Sequence, residues 1–154
     1  MAHIQQINVS SGGVPKVPVA DAYVTREGLR GDRQAKPGIH GGIYRAVSLF
    51  SADSIGFLTA QGHPIAPGTT GENLTVAGLD WSQLEPGTIL DCGPEVRLKI
   101  TSYALPCKTI AGSFNDGDFS RMHHRKHPGH SRLYAEVLIE GTITQGDEVA
   151  IAAE

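Results

Sequence analysis

A cysteine placed after a proline and before a lysine, in Tyr103-Ala104-Leu105-Pro106-Cys107-Lys108, is the residue best suited to chemistry. As a thiolate it would be a nucleophile, a sulfur carrier or a soft metal ligand. As a protonated thiol it would be a small apolar filler. The residues alone leave these roles open. Lys108, and a basic stretch running from Arg121 to Arg132, would favour the thiolate if folding brought them close. That stretch holds Arg121, His123, His124, Arg125, Lys126, His127, His130 and Arg132, with no acidic residue between Phe119 and Ala135. In a chain of formal net charge -3, such uncompensated positive charge is a candidate for holding an anionic ligand. Pro128-Gly129 rules out one long helix, so His123 and His127 are not expected on a common face. The histidines and Cys107 match no zinc-site spacing.

Two glycine-bearing loops are the other places where backbone and polar groups could meet a ligand. The first runs from Gly31-Asp32 through Lys36-Pro37-Gly38-Ile39-His40-Gly41-Gly42-Ile43-Tyr44-Arg45. The second is Pro67-Gly68-Thr69-Thr70-Gly71-Glu72-Asn73-Leu74. Paired glycines let a backbone approach a ligand closely, or simply let it turn. No Walker-type lysine-serine follows the Gly41-Gly42 pair. Taken residue by residue, both loops read as turns. Cys92, in Thr88-Ile89-Leu90-Asp91-Cys92-Gly93, reads as a buried filler at a strand end. A disulfide to Cys107 is not expected in a reducing compartment.

The elements that must carry these residues are mostly strands. Nineteen glycines, nine prolines and only 19% charged residues predict many short strands joined by tight turns. Strands are expected around Ile4 to Val9, Ala22 to Thr25, Ala46 to Phe50 and Leu133 to Ile139. Val96-Arg97-Leu98-Lys99-Ile100-Thr101 alternates most clearly, and Pro106 ends that strand before Cys107. Ser51 is placed to cap a short helix reaching Thr59 or Ala60, with Gly62 as its stop. Thr142-Ile143 and Val149-Ala150-Ile151 suggest a closing hairpin-like segment. A hydrophobic fraction of 40% suits one domain over residues 1–154. The acidic balance argues against a nucleic-acid partner, and no apolar run approaches the roughly 18 residues of a membrane span. The first residues lack a secretory pattern, so a cytoplasmic protein is expected.

Several of these pieces together are similar to one family. Gly31-Asp32, His40-Gly41-Gly42 with Arg45-Ala46-Val47, Pro67-Gly68 with Gly71-Glu72-Asn73-Leu74, Gly78-Leu79 and Pro106-Cys107 resemble the MOSC domain in order and spacing. That module is named for the C-terminal part of molybdenum-cofactor sulfurases, and the likeness is to its small stand-alone bacterial form. The resemblance implies a mainly β fold, a MOSC-type β-barrel with one or two short helices. It implies that Cys107 is the catalytic cysteine, carrying sulfur or binding the molybdenum of the pterin cofactor (molybdopterin). It assigns cofactor binding to His40, Gly41, Gly42, Arg45, Glu72 and Asn73, in place of the turn-only readings, with Lys108 beside the thiol. Many members carry an arginine shortly before the proline-cysteine pair, where this chain has Ala104. The cofactor phosphate would then need another cation, for which Arg121, Arg125, Lys126 and Arg132 are candidates.

Family relatives reduce N-hydroxylated substrates, including hydroxylaminopurines. The chain is too short for a desulfurase domain or an electron-transfer domain, so pyridoxal phosphate is not expected on it. Sulfur or electrons would come from a separate cysteine desulfurase or electron-donor protein. Three functions follow from the resemblance. They are a molybdenum-cofactor oxidoreductase with Cys107 as metal ligand, a sulfur carrier holding a persulfide on Cys107, and a non-catalytic module that docks a cofactor or a protein. The proposed site requires Cys107 to be open toward His40, Arg45 and the basic stretch.

Overall fold

The strongest alternation in the sequence becomes the longest strand. In the computed structural model, which describes residues 1–33 and 42–152, side chains from Val96 to Ile100 are alternately buried and half-buried. In chain order the strands are β1 (His3–Val9), β2 (Val17–Val19), β3 (Asp21–Thr25), β4 (Gly28–Leu29) and β5 (Val47–Ser51). They continue as β6 (Leu74–Ala77), β7 (Ile89–Cys92), β8 (Val96–Tyr103), β9 (Leu133–Ile139), β10 (Gly141–Thr144) and β11 (Val149–Ile151). One α-helix among the described residues, α1 (Ala52–Ala60), connects β5 to its parallel neighbour β6. Ser51 Oγ accepts the Ser54 N–H at 3.1 Å and so caps the helix. Gly62 follows the helix end at φ +95°, a conformation that favours glycine. Short 3₁₀ turns cover Ile43–Arg45, Trp81–Gln83, Lys108–Ser113 and Phe119–Met122.

The expected barrel does not form. The large sheet has the open order β11-β7-β8-β9-β5-β6-β1-β2, and a separate sheet has the order β10-β3-β4. Among the described residues neither closes on itself. Local chemistry fits the open edges. Pro18 in β2 has no N–H to give a further strand, and β11 is only three residues long. The expected closing hairpin is also absent. β10 pairs with β3 (Gly141↔Val24) and β11 with β7 (Val149↔Cys92), so they lie in different sheets. The link between them instead crosses the end of β1, where Gly146 N donates to Ile4 O and Ile4 N to Asp147 O, both at 2.8 Å.

Two apolar cores meet across β5. Val47 and Leu49 join Ile4, Ile7, Leu74, Leu98 and Val137 in the larger core. Phe50 points the other way, into a smaller cluster with Ile55, Leu58, Ile110, Phe114 and Met122. That division follows from the two-residue period of a strand. The smaller core anchors the segment just after Cys107 through Ile110. Trp81 fastens the approach to β9, its indole N–H donating to Ser131 O at 2.7 Å. Among the described residues no helix is long and apolar enough to cross a membrane.

Candidate functional site

The thiol is held where three local constraints meet. Ala104 N donates to Arg132 O at 2.9 Å, keeping the end of β8 beside the start of β9. Pro106 then removes a donor, and Cys107 adopts an extended backbone at φ −143°. Its carbonyl accepts the Ile110 N–H at 3.1 Å, which starts the 3₁₀ turn. The side chain is half-buried, with Sγ 2.8 Å from Thr109 Oγ1. It opens into a cavity of about 350 Å³ that it shares with Lys16, Arg45, Ser48, Asn73 and Arg132. Val14, Ile110 and Tyr134 supply apolar wall.

Three of the lining side chains are cationic. Arg45, exposed at its 3₁₀ turn, lies with its guanidinium 5.4 Å from the Tyr134 ring centroid. Arg132 donates through Nη1 to Thr70 O (2.8 Å) and through Nη2 to Leu105 O (3.3 Å). Its Nε is sealed from solvent and, among the described residues, has no hydrogen-bond partner. Desolvation pushes the Arg132 pKa down, against the opposing influence of Tyr134, Glu72 and Cys107. Lys16 is buried and pairs with Asp32 at 2.6 Å. Asp32 also accepts from Ser10 N (3.0 Å) and Asn73 Nδ2 (2.9 Å). Asn73 Oδ1 in turn accepts the Ser48 N–H at 3.1 Å, which ties this polar group to β5.

Beneath the cavity lies a buried carboxyl. Glu72 is fully enclosed, with hydroxyls of Thr70 and Thr75 at 2.9 Å and the Gly68 N–H at 3.1 Å. Burial raises its pKa from 4.5, partly offset by those bonds. Gly68 also receives the Lys16 N–H on its carbonyl, at 2.9 Å. It has φ +87°, and a Cβ there would lie 2.5 Å from Lys16 O. Gly68→Ala is therefore expected to cost about 2 kcal/mol. Urea denaturation checks this, and a loss under about 0.5 kcal/mol would mean that the two loops separate without strain.

The predicted residues divide clearly. Cys107, Arg45, Asn73 and Arg132 line one cavity. Glu72 supports that cavity from below and does not line it. Gly42 is exposed ahead of the turn bearing Arg45, while His40 and Gly41 lie outside the described residues. Lys108, Arg125 and Lys126 are exposed and do not line the cavity. Arg121 is gripped by Asp116 through two bonds of 2.7 Å and also does not line it. The basic stretch thus delivers one cation, Arg132, to the thiol. His123 and His124 instead form a ring stack on Tyr103 at the end of β8, with centroids 4.2 and 5.2 Å apart along the stack. Cys92 is buried, and burial with Asp91 and Asp147 nearby pushes its thiol up to about 12.

The expectation of molybdenum ion binding needs correction where it concerns the protein's own side chains. Among the described residues, no group of three or more His, Cys, Asp or Glu side chains could hold a metal ion. Sequence reasoning also passed over Lys16 and assigned Asp32 no role. The available signal was a lysine set between proline and valine, in Pro15-Lys16-Val17-Pro18, a segment otherwise without charge.

The MOSC domain family model matches residues 36–150. The chain is 30% identical over 136 residues to the uncharacterized protein YflK of Bacillus subtilis (strain 168), a match covering 87% of this chain. It spans only 60% of that relative's length. The crystal structure of YiiM from Geobacillus stearothermophilus is similar with a TM-score of 0.77 at 22% identity, over 99% of this chain and 76% of that one. The YuaD protein of Bacillus subtilis is similar with a TM-score of 0.70 at 17% identity, over 96% of this chain and 93% of that one. At these identities the structural likeness carries the fold.

Proposed function

The chain belongs to the MOSC domain family, and from that premise we propose that its Cys107 cavity holds the family's anionic pterin cofactor for reducing N-hydroxylated small molecules. The observation carrying this reading is a half-buried thiol that opens among Lys16, Arg45 and Arg132. Asp32 matches the Lys16 charge, so the two arginines leave the cavity net positive. Arg132 gives Nη1 and Nη2 one carbonyl each and, among the described residues, its Nε has no acceptor, so the guanidinium keeps donor capacity that an anionic group could use. When bound, the cofactor supplies the redox centre at which the substrate oxygen is lost. The protein's part is to fix and enclose. Cys107 would supply the site's protein sulfur, Arg132 and Arg45 would hold the anionic group, and Val14, Ile110 and Tyr134 would exclude water. Electrons come from a separate electron-donor protein.

Metal and pterin analysis of protein from a cofactor-competent host tests this reading. About one cofactor per chain is expected, and none with Cys107 intact would overturn it. Arg132→Lys keeps the charge and loses the planar fork, so about a 10-fold to 100-fold weaker retention of pterin is expected. Retention within about twofold of the parent would remove Arg132 from the anion site.

A second reading is favoured by the Thr109 hydroxyl 2.8 Å from Sγ, which could donate to a terminal sulfur. Cys107 would then carry a persulfide made by a cysteine desulfurase acting in trans. Mass spectrometry after incubation with a desulfurase and cysteine should show one added sulfur that Cys107→Ala abolishes.

A further inference from the structure

The Lys16–Asp32 pair is hard to explain as a stabilising feature alone. Its side chains are only 7% and 3% exposed. Desolvating two charges consumes most of what their attraction returns, so such a pair contributes little over a well-packed apolar one. Yet this pair is held with care. Asp32 is fixed by Ser10 N and by Asn73 Nδ2, and the Lys16 backbone is fixed by Gly68 O. Lys16 also lines the same cavity as Cys107. An ammonium has three N–H groups, and the bond to Asp32 uses one, so the others can serve a group inside the cavity.

Resting on the function proposed above, we propose that Lys16 is the proton donor for N–O cleavage and that Asp32 holds its ammonium in place. The reaction is R–NH–OH + 2 e⁻ + 2 H⁺ → R–NH₂ + H₂O. Two electrons come from a reduced electron-transfer protein and the N–O bond breaks. Lys16 gives one proton to the departing hydroxyl, which leaves as water, and the second proton reaches nitrogen from solvent. The resulting neutral amine beside Asp32 is reprotonated from solvent. Arg45 and Arg132, the other cations of the cavity, carry planar donor forks suited to holding an anionic group. The substrate class sharpens accordingly, to small N-hydroxylated molecules whose hydroxyl reaches the Lys16 side of the cavity.

Three variants test this, each assayed for folding, for bound metal and pterin, and for turnover. Lys16→Met should keep cofactor content within about twofold and lose about 10²-fold to 10⁴-fold in kcat, the usual contribution of general acid catalysis, with KM little changed. Lys16→Arg keeps the positive charge without a transferable proton and should fall equally. The double variant Lys16→Met with Asp32→Asn removes both buried charges, and it should fold, hold cofactor and remain inactive. Activity restored in Lys16→Arg would overturn proton donation in favour of plain electrostatics. An active double variant would assign the pair a structural role. Loss of cofactor from Lys16→Met would make Lys16 an anchor and also overturn the proposal. Failure of the parent protein itself to hold cofactor would strike the function above instead.

Discussion

On the proposed function, Cys107→Ala is expected to lower reduction of N-hydroxylated substrates by at least about 10³-fold in kcat/KM, because it removes the thiol assigned there to the cofactor. Stability should barely change. Cys107 is half-buried beyond the end of β8, and its side chain touches a cavity rather than either core. A cost within about 0.5 kcal/mol corresponds to less than about 2 °C in Tm for a chain of this size. Cys92→Ala provides the contrast. That thiol lies in the larger core and is held protonated by burial, so its loss should cost about 1 kcal/mol and leave turnover intact. The pair of variants separates the competing readings. If Cys107 were a structural filler, Cys107→Ala would lower Tm and spare activity. If the protein were a non-catalytic docking module, the same variant would leave cofactor binding unaltered and there would be no turnover to lose. Activity retained within about threefold, in protein that holds cofactor, would sink the proposed role of the thiol.

What could be foreseen was local. β8 was legible because its alternation is intrinsic to five consecutive residues, and α1 because Ser51 and Gly62 mark its ends. Barrel closure was not legible, because it depends on pairings between residues far apart in the chain. β10 carries a good strand pattern, yet whether it meets β11 or β3 is decided by where Gly146 and Asp147 can bond, which is at Ile4. The same limit applied to the site. Counting charge from Phe119 onward left out Asp116 and Asp118, the two carboxylates that neutralise Arg121. Arg132 differs from the other basic residues by standing next to β9, where strand pairing fixes it beside Ala104. Ala104 was the position where the resemblance to the family looked weakest. Its backbone partner is Arg132, so a cation reaches the thiol from the neighbouring strand instead.

Glu72→Ala should be strongly destabilising, at about 4 kcal/mol. It strands the Gly68 N–H and two buried hydroxyls and leaves a void in a fully enclosed site. By contrast, Glu72→Gln should be tolerated. Glutamine copies the protonated carboxyl, its amide donating to the Thr70 oxygen while its carbonyl accepts from Gly68 N and Thr75. The pH dependence identifies which form the fold prefers. Because burial raises the Glu72 pKa above 4.5, the native state holds this proton more tightly than the unfolded chain does. Stability from this group is therefore fully present below pH 4.5 and is lost as pH rises through the folded-state pKa. The parent should become less stable relative to Glu72→Gln across that window, and the two curves should run parallel above it. Urea unfolding of both proteins from pH 4 to pH 8 measures the difference, and parallel curves throughout would mean that Glu72 is no harder to ionise in the fold. The consequence reaches the cavity through Thr70, whose side chain meets Glu72 and whose carbonyl holds Arg132 Nη1. Glu72→Ala should thus also weaken cofactor retention, although Glu72 does not line the cavity. Such a loss would show that the resemblance marked this glutamate for its place beneath Arg132, and not for contact with a ligand.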